Sequence, residues 1–260
     1  MPITTQIGSL PYCSAGKAVE YSLRHGIPFL PELPGLGDSM LSYIQNPGKL
    51  SCLSEFKKHT YGTVKVQCIG PATLLGAEFE DKEKNIKWQY SEEEVKLQIC
   101  THLDAIFDGL NAKEIILFLD EPALGQSGVN YESIWNEIFF YFNAGKGIQF
   151  LRGIHVCNIT DFDRLFMAGI DIISFDASLY DITLYDKYHD FRQKGGRIAW
   201  GISKPEDIRD FKAGDLITMP CGLGGMNRET GKPYTEDECE SALEMLVKAA
   251  ASHKRQPQAI

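Results

Sequence analysis

Short apolar runs alternate along this chain with longer stretches whose apolar residues recur at helical spacing. The short runs, rich in Ile, Val, Leu and Phe, are typical of strands buried on both faces of a parallel sheet. We predict eight strands, at residues 3–8, 27–32, 63–69, 115–120, 148–155, 171–176, 197–201 and 215–219. The predicted helices cover residues 15–25, 92–110, 131–143, 161–168, 184–194, 205–211 and 235–253. Repeated alternation of strand and helix predicts a parallel sheet.

Eight strand and helix units in 260 residues match the size of a (β/α)8 TIM barrel. We therefore expect residues 1–260 to form a single domain of this kind. The competing doubly wound sheet needs a phosphate-binding glycine fingerprint after its first strand. The sequence there, GSLPYCSAGK, matches neither the dinucleotide nor the P-loop spacing.

Polar groups that can bind a metal or a ligand concentrate at the carboxyl ends of the predicted strands. They are Gly8 and Ser9, Glu32, Gln67 and Cys68, Asp120 and Glu121, His155 and Cys157, Asp176, Ser203, and Cys221. In a TIM barrel these ends meet at one face, and the active site lies there. The fold prediction therefore implies that residues distant in sequence converge.

The segment GIHVCN places His155 and Cys157 two residues apart at a strand end, so both side chains project to the same side. Cys221, in MPCGLGG at the end of the eighth strand, can supply a third ligand. A donor set of nitrogen and sulfur favours zinc, and Asp176 is a candidate fourth ligand. The alternative is a core histidine bonded to backbone beside a buried thiol.

Two carboxylates are candidate ligands for a substrate ammonium group. Asp120, in LFLDEPAL, suits this role, although an acidic pair stabilised at a helix start is the alternative. Glu32, in FLPELPG, either faces the barrel mouth or is a solvated loop charge. The backbone at Gly8 and Ser9 either binds a substrate carboxylate or forms a plain turn.

Helix boundaries are indicated by capping residues. We predict N-caps at Ser91, Thr160 and Thr235, the last in a capping box with Glu238. The charged segment 76–95 is predicted to be mostly a solvated loop that leads into the helix capped by Ser91.

The composition, 43% hydrophobic and 23% charged, is that of a soluble globular protein, and no apolar run is long enough to span a bilayer. The N-terminus lacks the features of a signal peptide, and seven cysteines without close spacing fit a reducing compartment, so we expect a cytoplasmic protein. A net charge of -9 argues against nucleic acid or an anionic membrane as the main partner.

Seven segments, in this order, carry a family resemblance: IGSLP, VQCIGPATLLG, FLDEPAL, GIHVCN, DIISFDAS, GRIAWGIS and MPCGLG. With them the chain resembles the catalytic C-terminal barrel of cobalamin-independent methionine synthase, in the uroporphyrinogen decarboxylase and methionine synthase superfamily. The resemblance implies zinc at His155, Cys157 and Cys221, with Asp176 where methionine synthases have a glutamate. It also implies homocysteine contacts: Ile7, Gly8 and Ser9 for the carboxylate, Glu32 and Asp120 for the amine.

Two departures from the family pattern bear on the methyl donor. Full-length members carry a second, N-terminal barrel, whereas this sequence predicts one. The family's proton-donating histidine after the seventh strand has no counterpart, because WGISKPED offers Ser203 and Lys204 there. A folate nitrogen needs a proton to leave, whereas a methylated corrinoid does not.

We therefore expect a zinc-dependent methyltransferase that activates a small thiol, most simply homocysteine. The methyl donor is a corrinoid carrier protein or a related donor such as methylfolate, and the product is methionine. Two alternatives stay open: a corrinoid methyltransferase of the coenzyme M type, and a catalytically inactive zinc-binding accessory protein. Uroporphyrinogen decarboxylation is disfavoured, because the arginine-rich N-terminal motif of that branch has no match here.

Overall fold

The structure, a computed structural model, describes residues 3–81, 85–124, 131–143, 148–158, 160–227 and 230–253. Its strands within these ranges are β1 (Ile3–Thr4), β2 (Thr60–Ile69), β3 (Phe79–Asp81), β4 (Ile86–Trp88), β5 (Asn111–Asp120), β6 (Gln149–Val156), β7 (Ile172–Asp176), β8 (Arg197–Gly201) and β9 (Leu216–Thr218). Seven of them form one curled parallel sheet in the order β1-β9-β8-β7-β6-β5-β2, and β3 and β4 form a separate antiparallel hairpin. The described sheet is an α/β half-barrel and is consistent with a TIM-like barrel.

The segment 27–32, predicted as a strand, connects the two edges of this sheet through backbone hydrogen bonds. The Ile27 N–H donates to the Thr4 carbonyl at 2.9 Å, on the β1 side. On the β2 side, the Leu30 N–H donates to the Lys65 carbonyl at 3.0 Å. Segment 27–32 therefore joins β1 to β2 by backbone hydrogen bonds.

Segment 27–32 pairs only through isolated bridges, and its sequence explains why. Pro28 and Pro31 have no N–H, so a regular ladder on both sides is impossible. The bridges that form are Phe29 with Lys65 and Ser9 with Glu32. The predicted first strand, residues 3–8, is also shorter than expected, since only Ile3–Thr4 is regular.

The helices are α1 (Ala15–Leu23), α2 (Met40–Gln45), α3 (Leu53–Phe56), α4 (Pro71–Leu75), α5 (Glu92–Phe107), α6 (Tyr131–Asn143), α7 (Phe162–Met167), α8 (Tyr188–Gln193) and α9 (Glu236–His253). Two predicted N-caps are confirmed. Ser91 caps α5, and Thr235 and Glu238 exchange hydrogen bonds at the start of α9. The prediction for Thr160 is wrong. Asp161 caps α7 instead, because its carboxylate accepts the Arg164 N–H.

Two other predictions are corrected. The predicted helix 205–211 is only a 3-10 turn, Pro205–Asp207, since the Asp207 carboxylate accepts two preceding N–H groups and closes the turn. The charged segment 76–95 contains the β3–β4 hairpin, in which the Phe79 and Trp88 rings stack 5.6 Å apart. The short helices α2, α3 and α4 were not predicted, because one or two turns leave little periodicity to detect.

Most of the core lies between the sheet and the helices, and a smaller apolar cluster fills the inside of the curled sheet. The inner cluster includes Ile116 and Phe118 of β5. Gly153 of β6 makes room for Phe118, because a Cβ there would lie 1.9 Å from the ring. Since side chains alternate along a strand, Asp120 points to the same inner side as these two residues. No helix in the described ranges has the length and apolar character needed to cross a bilayer.

Candidate metal centre

His155, Cys157 and Cys221 come together at the carboxyl ends of the strands. One donor atom from each lies within 4.8 Å of the other two, as required of a group that can hold a metal ion. His155 is buried, Cys157 is partly buried and Cys221 is exposed. The sequence predicted these three ligands, which come from β6, from the residue that follows it and from the loop after β9.

The ring of His155 is oriented by a hydrogen bond from the neighbouring strand. Its Nδ1 lies 3.0 Å from the Ser174 hydroxyl, and Ser174 is its register partner on β7. Its Nε2 is buried and has no hydrogen-bond partner in the described part of the chain. A histidine held through Nδ1 and unpartnered at Nε2 is arranged as metal-binding histidines are.

The local electrostatics favour a thiolate at Cys221. Its interactions with the Cys157 thiol and then with the His155 imidazole hold the pKa of Cys221 well below the usual range of a thiol. Thiolate is the form of cysteine that binds metal ions. The donor set, its spacing and its protonation therefore fit a metal ion.

Asp176, the predicted fourth ligand, lies at the end of β7 and is buried. Its Oδ1 accepts hydrogen bonds from the Ser178 N–H at 3.0 Å and from the Ser178 hydroxyl at 2.5 Å. It is not in the described group whose donor atoms lie within 4.8 Å. A ligand role for Asp176 stays a prediction.

Two buried carboxylates, Asp120 and Glu32, lie close enough to interact, and Asp120 is next to this group. Asp120 is the register partner of His155, and neither of its oxygens has a hydrogen-bond partner among the described residues. Burial raises the pKa of Asp120 to about 6, against the opposing effect of His155 and Lys65. Burial, with a smaller contribution from Asp120, raises the pKa of Glu32 to about 8. An unpaired buried carboxylate is costly, so this arrangement suits a ligand that brings a hydrogen-bond donor.

A buried lysine that the sequence analysis overlooked organises this pocket. The Lys65 ammonium donates to Gln67 Oε1 at 2.6 Å and lies 4.9 Å from the centre of the Phe118 ring. Because the Lys65 ammonium can only donate hydrogen bonds, the Gln67 side chain must turn its Oε1 toward it. The Gln67 Nε2 then faces Glu32 and donates to its carboxylate at 3.3 Å. Burial lowers the pKa of Lys65 to about 8. The alternation in TVKVQC, with Lys65 and Gln67 on one face, is the signal that could have revealed it.

The segment Ile7, Gly8 and Ser9 lies beside the loop that carries Cys221. The Gly8 N–H already donates to Gln67 Oε1 at 2.8 Å. The Ser9 carbonyl accepts the Gly224 N–H at 2.9 Å. The predicted carboxylate-binding role of this segment stays a prediction, and Ser9 is its member next to the Cys221 loop.

Glu121, next to Asp120 in sequence, has a structural role. Its carboxylate accepts the N–H groups of Ala72 and Thr73 at the start of α4, the Thr73 hydroxyl, and the Trp135 indole N–H at 2.7 Å. Gly70 allows this close approach, because a Cβ there would lie 2.1 Å from the Glu121 carboxyl carbon. Two adjacent acidic residues thus have different roles.

A cavity of about 590 Å³ opens beside the three residues that could hold a metal ion, and Cys221 forms part of its wall. Other lining residues are Asp176, Ser203, Met219, Tyr234 and Met245. Cys221 therefore lies between this cavity and His155, whose strand neighbour is Asp120.

Comparison with protein-family models finds no match for this chain, and comparison with curated proteins finds none either.

Proposed function

We propose that this chain is a cytoplasmic zinc-dependent S-methyltransferase built on a (β/α)8 barrel, with residues 27–32 as its second strand. Its acceptor substrate is a small thiol that also carries an amine, and homocysteine fits that description. The observation that carries the proposal is the His155, Cys157 and Cys221 group beside the unpartnered carboxylate of Asp120.

The donor set supports zinc among the metals that the site can accept. One imidazole and two thiolates are ligands that zinc prefers, and three protein ligands leave a position for substrate. When bound, zinc would lower the pKa of a coordinated thiol and keep it as a nucleophilic thiolate at neutral pH. His155, Cys157 and Cys221 would hold the ion, and Ser174 would keep the imidazole in the orientation that presents Nε2.

The buried carboxylates support an ammonium-bearing acceptor. The unpartnered oxygens of Asp120 can accept hydrogen bonds from a substrate ammonium, and Glu32 is kept in position by Gln67. Coenzyme M carries a sulfonate instead, which the buried carboxylate of Asp120 would repel. This contrast favours homocysteine over the coenzyme M alternative.

The methyl donor in this proposal is a methylated corrinoid protein or a related donor such as methylfolate. In the region where the family has its proton-donating histidine, this chain has Ser203, which lines the cavity beside Cys221. A serine hydroxyl is a poor proton donor, so a donor whose leaving group needs no proton is favoured. The product of methyl transfer to homocysteine is methionine.

The test is a methyl-transfer assay on the zinc-loaded protein with homocysteine and methylcobalamin, in which methionine is measured by mass spectrometry. Calorimetry in parallel measures homocysteine binding. We expect Cys157→Ser to abolish both signals. Cys13→Ser is the matched control, since Cys13 is exposed and lies outside the metal-binding group. A zinc-loaded protein that does not bind homocysteine would contradict the proposal and favour the accessory-protein alternative.

A further inference from the structure

Ser9 lies between the segment that carries Glu32 and the loop that carries Cys221. On one side, Ser9 forms a parallel bridge with Glu32. On the other side, the Ser9 carbonyl accepts the Gly224 N–H at 2.9 Å. Ser9 therefore connects a carboxylate of the proposed acceptor site with the loop that carries a candidate metal ligand.

Gly222, the residue after Cys221, packs directly against Ser9. A Cβ added to Gly222 would lie 1.9 Å from the Ser9 Oγ, 3.1 Å from the Ser9 Cβ and 3.2 Å from the Ser9 backbone nitrogen. Rotation of the Ser9 hydroxyl would relieve the first of these contacts, but it would not move the other two atoms. The loop approaches Ser9 this closely because residue 222 has no side chain.

Gly222 also contacts the sulfur of Cys221. Its N–H forms a hydrogen bond with the Cys221 side chain. The Cys221 sulfur in turn lies within 4.8 Å of donor atoms of His155 and Cys157. A shift of Gly222 would therefore move both the donor of this hydrogen bond and the candidate ligand itself.

We propose, on the basis of the function above, that Ser9 is a positioning residue that couples the acceptor site to the metal ion through Gly222. An acceptor bound by its amine and carboxylate would hold Ser9 against Gly222 and thereby keep Cys221 in its ligand position. Such coupling is reciprocal: the factor by which the acceptor raises the metal affinity equals the factor by which the metal raises the acceptor affinity. This effect adds to any bond between the acceptor sulfur and the metal.

The contact between Ser9 and Gly222 is tested with cobalt(II), whose thiolate charge-transfer absorbance reports how many cysteine sulfurs bind the ion. We expect Gly222→Ala to lower this absorbance per bound ion by about half, to the value of Cys221→Ser, because Cys157 stays in place while Cys221 is displaced. Gly225→Ala is the control in the same loop, since a Cβ there would meet no atom of the described residues within 4 Å. Equal absorbance for Gly222→Ala and Gly225→Ala would overturn the positioning role.

A compensating variant separates this contact from a general loss of stability. Ser9→Gly combined with Gly222→Ala removes the Oγ and the Cβ that the new methyl group would meet. We expect this double variant to regain most of the cobalt absorbance. If it does not, the loss in Gly222→Ala does not come from Ser9, and the inference is wrong.

The coupling is tested with norvaline, which has the amine and the carboxylate of an amino acid but no sulfur. Norvaline binding is measured by calorimetry, and zinc affinity by competition with a chromogenic chelator. We expect saturating norvaline to raise the zinc affinity at least about fivefold in the unmodified protein and less than about twofold in Ser9→Gly. The comparison between the two proteins also corrects for zinc that norvaline binds in solution.

The outcomes distinguish this inference from the proposed function. An equal effect of norvaline on the two proteins, or no norvaline binding to a protein that binds homocysteine, would overturn the coupling and leave the thiol-binding function standing. Absence of homocysteine binding to the zinc-loaded protein would overturn both.

Discussion

Replacing Ser174 by alanine tests whether the hydrogen bond to His155 prepares the metal-binding group. The Ser174 hydroxyl lies 3.0 Å from His155 Nδ1, and both side chains are buried, with exposed fractions of 0% and 3%. Alanine would leave the N–H of the buried imidazole without its partner. An unsatisfied buried donor costs about 1–3 kcal/mol, which corresponds to roughly 5- to 150-fold in an equilibrium constant. Loss of such partners typically reduces metal affinity by about 10- to 100-fold.

We therefore expect the zinc affinity of Ser174→Ala to fall by about 10- to 100-fold. The assay is competition for zinc with a chromogenic chelator at fixed pH. Thr5→Val is the matched control: the Thr5 hydroxyl is also buried but has no hydrogen-bond partner in the described structure, so its removal should change the affinity by less than about twofold. If Ser174→Ala binds zinc as tightly as the unmodified protein while Cys157→Ser does not, the role given to Ser174 is wrong.

Three further predictions concern stability. The pKa of Glu32 is about 8 in the folded protein against an ordinary 4.5, so the folded state holds this proton more tightly than the unfolded state does. The resulting contribution to stability is present at low pH and is lost as the pH rises from 4.5 to 8. We therefore expect Glu32→Gln to raise Tm by about 10 °C more at pH 8.5 than at pH 4.5. Asp215→Ala should lower the free energy of unfolding in urea by about 3–5 kcal/mol, because it leaves the Arg192 guanidinium buried without its carboxylate. Gly153→Ala should cost at least about 1–3 kcal/mol in the same measurement, since its Cβ would overlap the Phe118 ring.

Matched controls separate these effects from general sensitivity to mutation. A Cβ at Gly62 would meet no atom within 4 Å, so Gly62→Ala should change stability by much less than Gly153→Ala. The Lys17 and Glu236 pair is mostly exposed, so Lys17→Ala should cost no more than about 1 kcal/mol. A loss for Asp215→Ala no larger than that for Lys17→Ala would contradict the assignment of a buried ion pair. A Tm difference for Glu32→Gln that does not depend on pH would contradict the raised pKa.

The sequence alone determined the parallel sheet and the place where function should be sought. Periodicity is a local property, and β8, Arg197–Gly201, has the predicted bounds. The candidate ligands His155 and Cys157 were identified from the two-residue repeat of a strand, which also needs no distant contact. Cys221 was added because the ends of parallel strands lie at one face.

Only the tertiary structure decided what each polar side chain at that face contacts. Asp120 and Glu121 are adjacent in sequence, yet Asp120 is unpartnered among the described residues whereas Glu121 is held by α4 and Trp135. The role of Lys65 depends on Gln67 and, through it, on Glu32, which comes from a distant segment. The cavity beside Cys221 likewise forms only where three strand ends meet α9. Hydrogen bonds and charges between distant segments depend on register and packing, and a pattern of apolar and polar positions does not contain that information.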